Sequence, residues 1–259
     1  MEVSQRIAVS GMLASQRQLD VVSNNLANVN STGFKRGMAH TTDVGYQAGL
    51  DAPVGPGGAT IRITGIGQGT QLADVNHDFL PGALQGTGNP LDIALQGDGF
   101  FSMRLPDGQL GYSRDGSLTI DAGGRLVTSG GQPVQSDTGT DLTLPPDSVD
   151  VHIDDIGQLM ASGQPVGKLG LAVFPNNKGL LAQGQSTWTA TAASGAPVPV
   201  AQGTANAPIV VAGALEGSNV DVGDEFMRLI QAQRGYELSS KVVQAWDDVE
   251  RMANDLRRA

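Results

Sequence analysis

Five places in this sequence hold residue types that could do chemistry. Asp154 and Asp155 are adjacent, as are Asp247 and Asp248, and paired carboxylates are what glycoside hydrolysis or a calcium site would need. His77 stands beside Asp78, the residue types of a general base and the carboxylate that orients it. Gly-x-Gly pairs fall at Gly65 and Gly67 and at Gly97 and Gly99, the beginning of a phosphate-cradling loop. Each falls short of its chemistry. The "DDIG" of residues 154–157 ends a strand, where Asp and Gly are ordinary turn residues, and Asp247 and Asp248 sit on a helix whose other faces are apolar. The run "DGQLGYSRDGS" lacks the calcium-loop spacing and its final Glu. The glycine pairs lack a third glycine and the strand and helix of a nucleotide site. No GxSxG elbow, HExxH pair or Walker loop occurs. These residues read as surface and turns, and the chain as no enzyme.

Composition narrows the classes further. The 259 residues contain no cysteine, which excludes disulfides, thiol nucleophiles and thiolate metal sites. Three scattered histidines, His40, His77 and His152, leave little for zinc, so neither a metal nor a cofactor is expected. The formal charge of -10 argues against nucleic acid and anionic membranes, which need a basic face. No run approaches the roughly 18 apolar residues of a spanning helix. The N-terminal "MEVSQRIAVSGMLASQRQ" lacks the order of a cleavable secretory signal, so export, if it occurs, is expected to leave no cleaved peptide. Residues 1–37 carry four basic against two acidic side chains, 38–215 six against fifteen, and 216–259 six against nine. The acid therefore lies in the middle, where 36 glycines and 13 prolines against 4% aromatics suggest a turn-rich β protein.

The elements that must carry these residues follow from periodicity. Ala8, Met12, Ser15, Leu19, Val22, Leu26 and Val29 step by four and three, a heptad seam with Ser15 its polar member. The helix is expected to stop at Gly33, which can adopt the left-handed conformation. Ala232, Gly235, Ser239, Val242, Trp246, Val249, Ala253 and Leu256 form a second seam, and Val222, Phe226, Leu229, Tyr236 and Val243 lie beside it as a further stripe. Ser218 with Asp221, or Asp221 with Asp224, would cap that helix. Turn pairs at Asp107-Gly108, Asp115-Gly116 and Gly123-Gly124 separate short strands at the spacing of a meander. The sequence thus predicts an α+β fold. Discontinuous N- and C-terminal coiled-coil helices, residues 1–33 and 216–259, flank an extended Gly/Pro-rich linker, 34–75, and an inserted mainly-β domain, 76–215.

One apolar seam returns less than the entropy lost on ordering about thirty residues. The second C-terminal stripe has no partner within one chain, so both ends are expected to be frayed in the monomer and to fold on assembly. Asn24, Asn25 and Asn28 flank the seam end, where a buried amide is satisfied in one register only. A plainer reading of Asn30, Ser31 and Thr32 is that they unwind the helix into a loop.

Three stretches now carry a resemblance. "SNNLANVNSTGFKR", then "LQGDGFF", "YSRDGSLTID" and "GRLVTSGG", then "LEGSNVDVGDEFMRLIQAQRGYE" together resemble the flagellar basal-body rod and hook proteins. The resemblance spans the chain except the linker and residues 180–210. Its length near 260 and "QAQRGYE" are more similar to the distal-rod type than to the proximal one, although residues 45–64 do not match the distal-rod pattern. The resemblance implies a subunit exported unfolded through the flagellar export apparatus and polymerised helically into a hollow rod. Its partners would be copies of itself, other rod and hook-junction proteins and the bushing rings. It further implies that Asn24, Asn25, Asn28, Gln233, Arg234 and Tyr236 serve assembly, together with Met12, Leu19, Val22, Leu26, Val29, Phe226, Leu229, Val242, Trp246 and Val249 of the seams. Gly33, Gly97, Gly99, Asp115 and Gly116 would be structural turns. Besides a proximal-rod or hook-type subunit, the alternatives are a cell-wall hydrolase using Asp154 or Asp155 and an adhesin, which would need a fixed-period repeat.

Overall fold

The structure, a computed structural model, describes residues 2–46, 51–54, 59–62, 65, 67–201 and 207–258. A proline-free start permits one long helix, α1 (Glu2–Ala27). It ends six residues before Gly33, because Asn28, Val29 and Asn30 are poor helix formers and already form turns. Gly33 does take a left-handed φ of 64°, but inside a loop. The C-terminal helix, α2 (Val222–Arg258), is capped by Asp221, whose Oδ1 accepts from the Asp224 amide at 3.0 Å. Of the two caps considered, the second is the one used.

Among the described residues nineteen strands run between the helices: β1 (Gly37–Asp43), β2 (Asp51–Val54), β3 (Ala59–Arg62), β4 (Thr70–His77), β5 (Leu84–Gly86), β6 (Ile93–Gln96), β7 (Phe100–Arg104), β8 (Leu110–Ser113), β9 (Leu118–Ile120), β10 (Leu126–Thr128), β11 (His152–Ile153), β12 (Gln158–Ala161), β13 (Gln164–Lys168), β14 (Leu171–Val173), β15 (Leu181–Gly184), β16 (Thr187–Thr189), β17 (Val198–Pro199), β18 (Ile209–Ala212) and β19 (Ala214–Glu216). The chain divides into a helical unit, residues 2–26, 37–76 and 221–258, and a β unit, Ala27–Arg36 and His77–Val220.

In the helical unit, the stretch read as linker holds two strand pairs, β1 with β4 and β2 with β3. The first pair reads "GMAHTTD" and "TQLADVNH", which carry no sustained alternation to mark them in the sequence. The remainder of the stretch, residues 47–50, 55–58, 63–64 and 66, lies outside the described residues.

In the β unit the main sheet has the order β15-β16-β8-β7-β14-β17, beside the sheet β11-β12-β13 and the ribbons β9–β10, β6–β18 and β5–β19. Period two decides which face each side chain takes. Phe101 and Leu171 join a core with Ile93, Leu95, Leu118, Leu126 and Leu159. Their neighbours Phe100 and Ala172 join a second core with Phe79, Tyr112, Phe174 and Trp188. The expected meander is interrupted. β7–β8 and β9–β10 are hairpins, but Asp115-Gly116 is no surface turn between β8 and β9. It is a buried crossing, in which a Cβ on Gly116 would overlap the Ile93 carbonyl, and Asp115 is only 7% exposed.

Candidate assembly surface and buried junction

Within the helical unit, α1 and α2 approach closely through their small residues. A Cβ on Gly11 would stand 3.2 Å from Ser239 Oγ, and one on Gly235 2.8 Å from Ser15 Oγ. Numbers rising on one helix fall on the other, so the pair is antiparallel, and the Gln5–Asp247 hydrogen bond at 3.5 Å continues the register. Ser15, the polar member of the first seam, faces the glycine of the second and donates its hydroxyl to Gly11 O at 3.0 Å. α1 has 26 residues and α2 37. At this register the start of α1 falls opposite residues 248–250, and α2 continues past it.

The seam residues are placed unevenly. Ala8, Val22 and Ala232 are buried. Met12, Leu19, Leu26, Leu229 and Trp246 are half-buried, as is Val29, which lies beyond the helix end in the β unit. Val242 and Val249, expected on the covered seam, are 46% and 47% exposed, and Gln233 and Arg234 are exposed. Among the described residues of α2, ten large apolar side chains are at least 38% exposed, and only Ala232 and Glu225 are buried. The exposed ones recur at helical steps: Phe226 and Ile230, Leu238 and Val242, then Val249, Met252 and Leu256. Tyr236 and Met227 belong to them, and α1 adds Val9 and Leu13. A monomer rarely leaves so long an apolar strip in water.

The asparagines do different things. Asn25, 1% exposed, grips the start of β1 with both ends of its amide: Oδ1 accepts from Gly37 N, and Nδ2 donates to Gly37 O, each at 2.9 Å. Its register is set against this strand and not against the other helix. Asn24 is exposed, and Asn28 accepts from Ser31 Oγ at 3.0 Å in the turn that ends α1.

The β unit contains a group of charges that sequence reasoning missed. Lys35 and Glu216, 181 positions apart, have fully buried side chains, with Nζ and Oε1 2.5 Å apart. Glu216 Oε1 also accepts from the Gly82 amide at 2.9 Å, and Oε2 from Arg114 Nη1 at 3.3 Å. Arg114 donates to the carbonyls of Leu95 and Gly97 and lies over the Phe100 ring. Burial pulls the Lys35 amine below the ordinary lysine value, against the Glu216 carboxylate, which raises it; Arg114 adds to the lowering and Asp78 to the raising. Beside this group Gly33 is so tightly seated that a Cβ would overlap the Asp115 backbone, and Thr32 Oγ1 donates to Asp115 Oδ1 at 2.7 Å. Ser117 and Ser129 donate to the same carboxylate. Gly97 and Gly99 both have positive φ at the β6–β7 connection. The three stretches that carried the resemblance thus meet here.

The residues first considered for chemistry are not brought together. Asp154 accepts two turn amides, from Ile156 and Gln158, and Asp248 pairs with Arg251 on α2. His77 meets the Lys35 carbonyl at 3.2 Å and packs edge-on against Trp188, not against a carboxylate. Burial holds its imidazole below the ordinary histidine value, opposed by that backbone hydrogen bond. Among the described residues no helix is long and apolar enough to cross a membrane, and no group of three or more His, Asp or Glu could hold a metal ion.

The chain is thus an α+β protein with a helix toward each end and a mainly-β unit between them in sequence, in which three separated stretches meet, and comparisons with known proteins give its family. Residues 6–35 match the family described as flagella basal body rod protein, 94–161 the flagellar hook protein FlgE/F/G D1 domain, and 211–256 the flagellar basal body rod FlgEFG protein C-terminal. The chain is 36% identical over 251 residues to the flagellar basal-body rod protein FlgG of Buchnera aphidicola subsp. Schizaphis graminum, covering 94% of this chain and 95% of the relative. Two proteins of Caulobacter vibrioides allow a comparison within one organism. FlgG is 36% identical over 97% of this chain and 98% of the relative, and FlgF is 30% identical over 95% and 94%. The chain belongs to the flagellar basal-body rod protein family, and of these two types it is more similar to FlgG.

Proposed function

We propose that the chain is a structural, non-enzymatic subunit of the flagellar basal-body rod, of the distal-rod type, which polymerises helically into a hollow shaft that transmits torque to the hook. The observation that carries this reading is the uncovered apolar strip of α2, Phe226 to Leu256, on a chain whose β unit buries its own core. The antiparallel approach of α1 and α2 supports a coiled-coil-like helical module, with neighbouring copies covering what α1 leaves open. Residues 1–33 and 216–259 act as the assembly segments, and 76–215 supplies most of the outer β domain. Met12, Leu19, Val22 and Leu26 support the helix pair, and Phe226, Tyr236, Val242 and Val249 meet neighbours. The partners are copies of the same chain, flanking rod and hook-junction proteins, the surrounding rings and the export apparatus.

Sedimentation and electron microscopy of the purified full chain test this. Concentration-dependent rods that vanish in Leu238→Asp, with the β unit still folded, are the expected result. A wild-type chain that stays monomeric at all concentrations opposes it.

A further inference from the structure

The buried charges raise a question that assembly does not answer. A buried ion group is weak evidence for stability, since well-packed apolar side chains of similar volume often serve as well. What it adds is direction, because each bond has one partner in one place. Here Lys35 and Glu216 tie three chain segments together, and Arg114 pairs with Glu216 from outside them.

The first is the arm 27–36, which follows α1. The second is 216–220, which precedes α2. The two run side by side in the same direction: Gly33 N donates to Glu216 O at 2.8 Å, Arg36 N to Asn219 Oδ1 at 2.7 Å, and Asn219 N to Phe34 O at 3.4 Å. The third segment, 77–80, follows β4 and is tied to both. Asp78 N donates to Arg36 O at 2.9 Å, and the Arg36 and Asp78 side chains pair at 3.4 Å. Lys35 Nζ donates to Leu80 O at 2.9 Å, and Asn219 Nδ2 to Asp78 O and Leu80 O at 2.7 and 3.1 Å. These are the segments through which the chain passes between the β unit and the helical unit, at 26/27, 36/37, 76/77 and 220/221. All the bonds named lie within the β unit.

We infer that Lys35, Glu216 and Arg114, with Asn219 beside them, form an ionic bolt that locks the three connecting segments into one block, so that a pull on either terminal arm is borne by both. They are positioning residues: they hold the arms and touch no neighbour. The geometry stands on its own, whereas the purpose, carrying load between the terminal helices and the β unit, rests on the proposed function. Glu216 is the keystone, because it neutralises two cations. Lys35 is the pin, because Arg114 still balances Glu216 when it is gone.

Amide hydrogen exchange on the full chain tests the bolt without requiring assembly. In Lys35→Met the amides of Gly33, Arg36, Asp78 and Asn219 should all exchange about tenfold faster, as one block, while the sheet amide of Ser102 keeps its wild-type rate. If only Gly33 and Arg36 accelerate, the segments are not coupled and the inference falls. It falls equally if Ser102 accelerates as much, since Lys35 would then be an ordinary core stabiliser, or if nothing changes. Should Lys35→Met not fold, Asn219→Ala, which removes bonds without touching a buried charge, must give the same joint acceleration or overturn the bolt. A chain that shows the block but forms no rods would sink the proposed function and leave the bolt standing.

Discussion

In the β unit Phe100, Phe101, Ile93 and Leu126 are at most 1% exposed, and even Lys35, Arg114 and Glu216 are withdrawn from water with partners around them. On α2, Phe226, Leu238, Met252 and Leu256 are 53% to 80% exposed, and two of the residues closest to α1, Gly235 and Ser239, are small. The two regions solve the same problem differently. A sheet with two faces closes two cores from its own strands, so the β unit can be stable by itself. A 37-residue helix against a 26-residue one cannot close, and small residues bring the backbones together while leaving little apolar area buried. The first region closes on itself, and the second leaves an apolar side open.

The chain's two tryptophans report the regions separately, Trp188 from the β unit and Trp246 from α2. The largest effect is expected from Glu216→Gln, which leaves Lys35 and Arg114 as buried cations without a counter-charge. It should lower the stability of the β unit by about 3–5 kcal/mol in denaturant unfolding followed at Trp188. Next, Phe226→Asp should abolish rod formation in sedimentation while leaving the Trp188 transition unchanged, because a side chain that would bury roughly 1.5–3 kcal/mol of apolar surface against a neighbour is replaced by a charge. If both probes shift together in that variant, the two regions are not independent. Asn25→Ala strands the Gly37 amide and carbonyl and should weaken the α1–β1 junction by about 1–3 kcal/mol, read as faster exchange at Gly37 with Trp188 unaffected.

The smallest effect concerns pH. The folded-state value of His77 lies below that of the unfolded chain, so the unfolded state binds the proton first as pH falls. The contribution of His77 is fully present above the unfolded value near 6.5 and is lost as pH drops through the lower folded value. The β unit should therefore melt lower at pH 5 than at pH 7.5, and His77→Gln should flatten part of that slope.

How much of this was legible follows from the range of each interaction. The helices and their seams could be read because heptad steps are local, and Ser15 stood out as the polar member whose glycine partner the structure supplies. Asn25 reads as a registry amide, yet its partner Gly37 is in a strand whose sequence, "GMAHTTD", carries no alternation. Asp115-Gly116 reads as a turn because those residues make turns on surfaces. Only the meeting with Thr32, Ser129 and Ile93 turns it into a buried crossing. Nothing local could join Lys35 to Glu216, since a buried lysine is rare and its partner is 181 residues away. The sole hint lay in the three stretches themselves, each of which contributes one member of the charge group.

Hydrogen exchange along the wild-type chain, followed from dilute monomer to assembled rods, tests the central claim most directly. In the monomer the amides of α2 beyond Leu238 should exchange rapidly while those of β7 and β8 are slow, and on assembly α2 should become protected by orders of magnitude with the sheet unchanged. An α2 that is already fully protected in a monodisperse monomer would contradict the account.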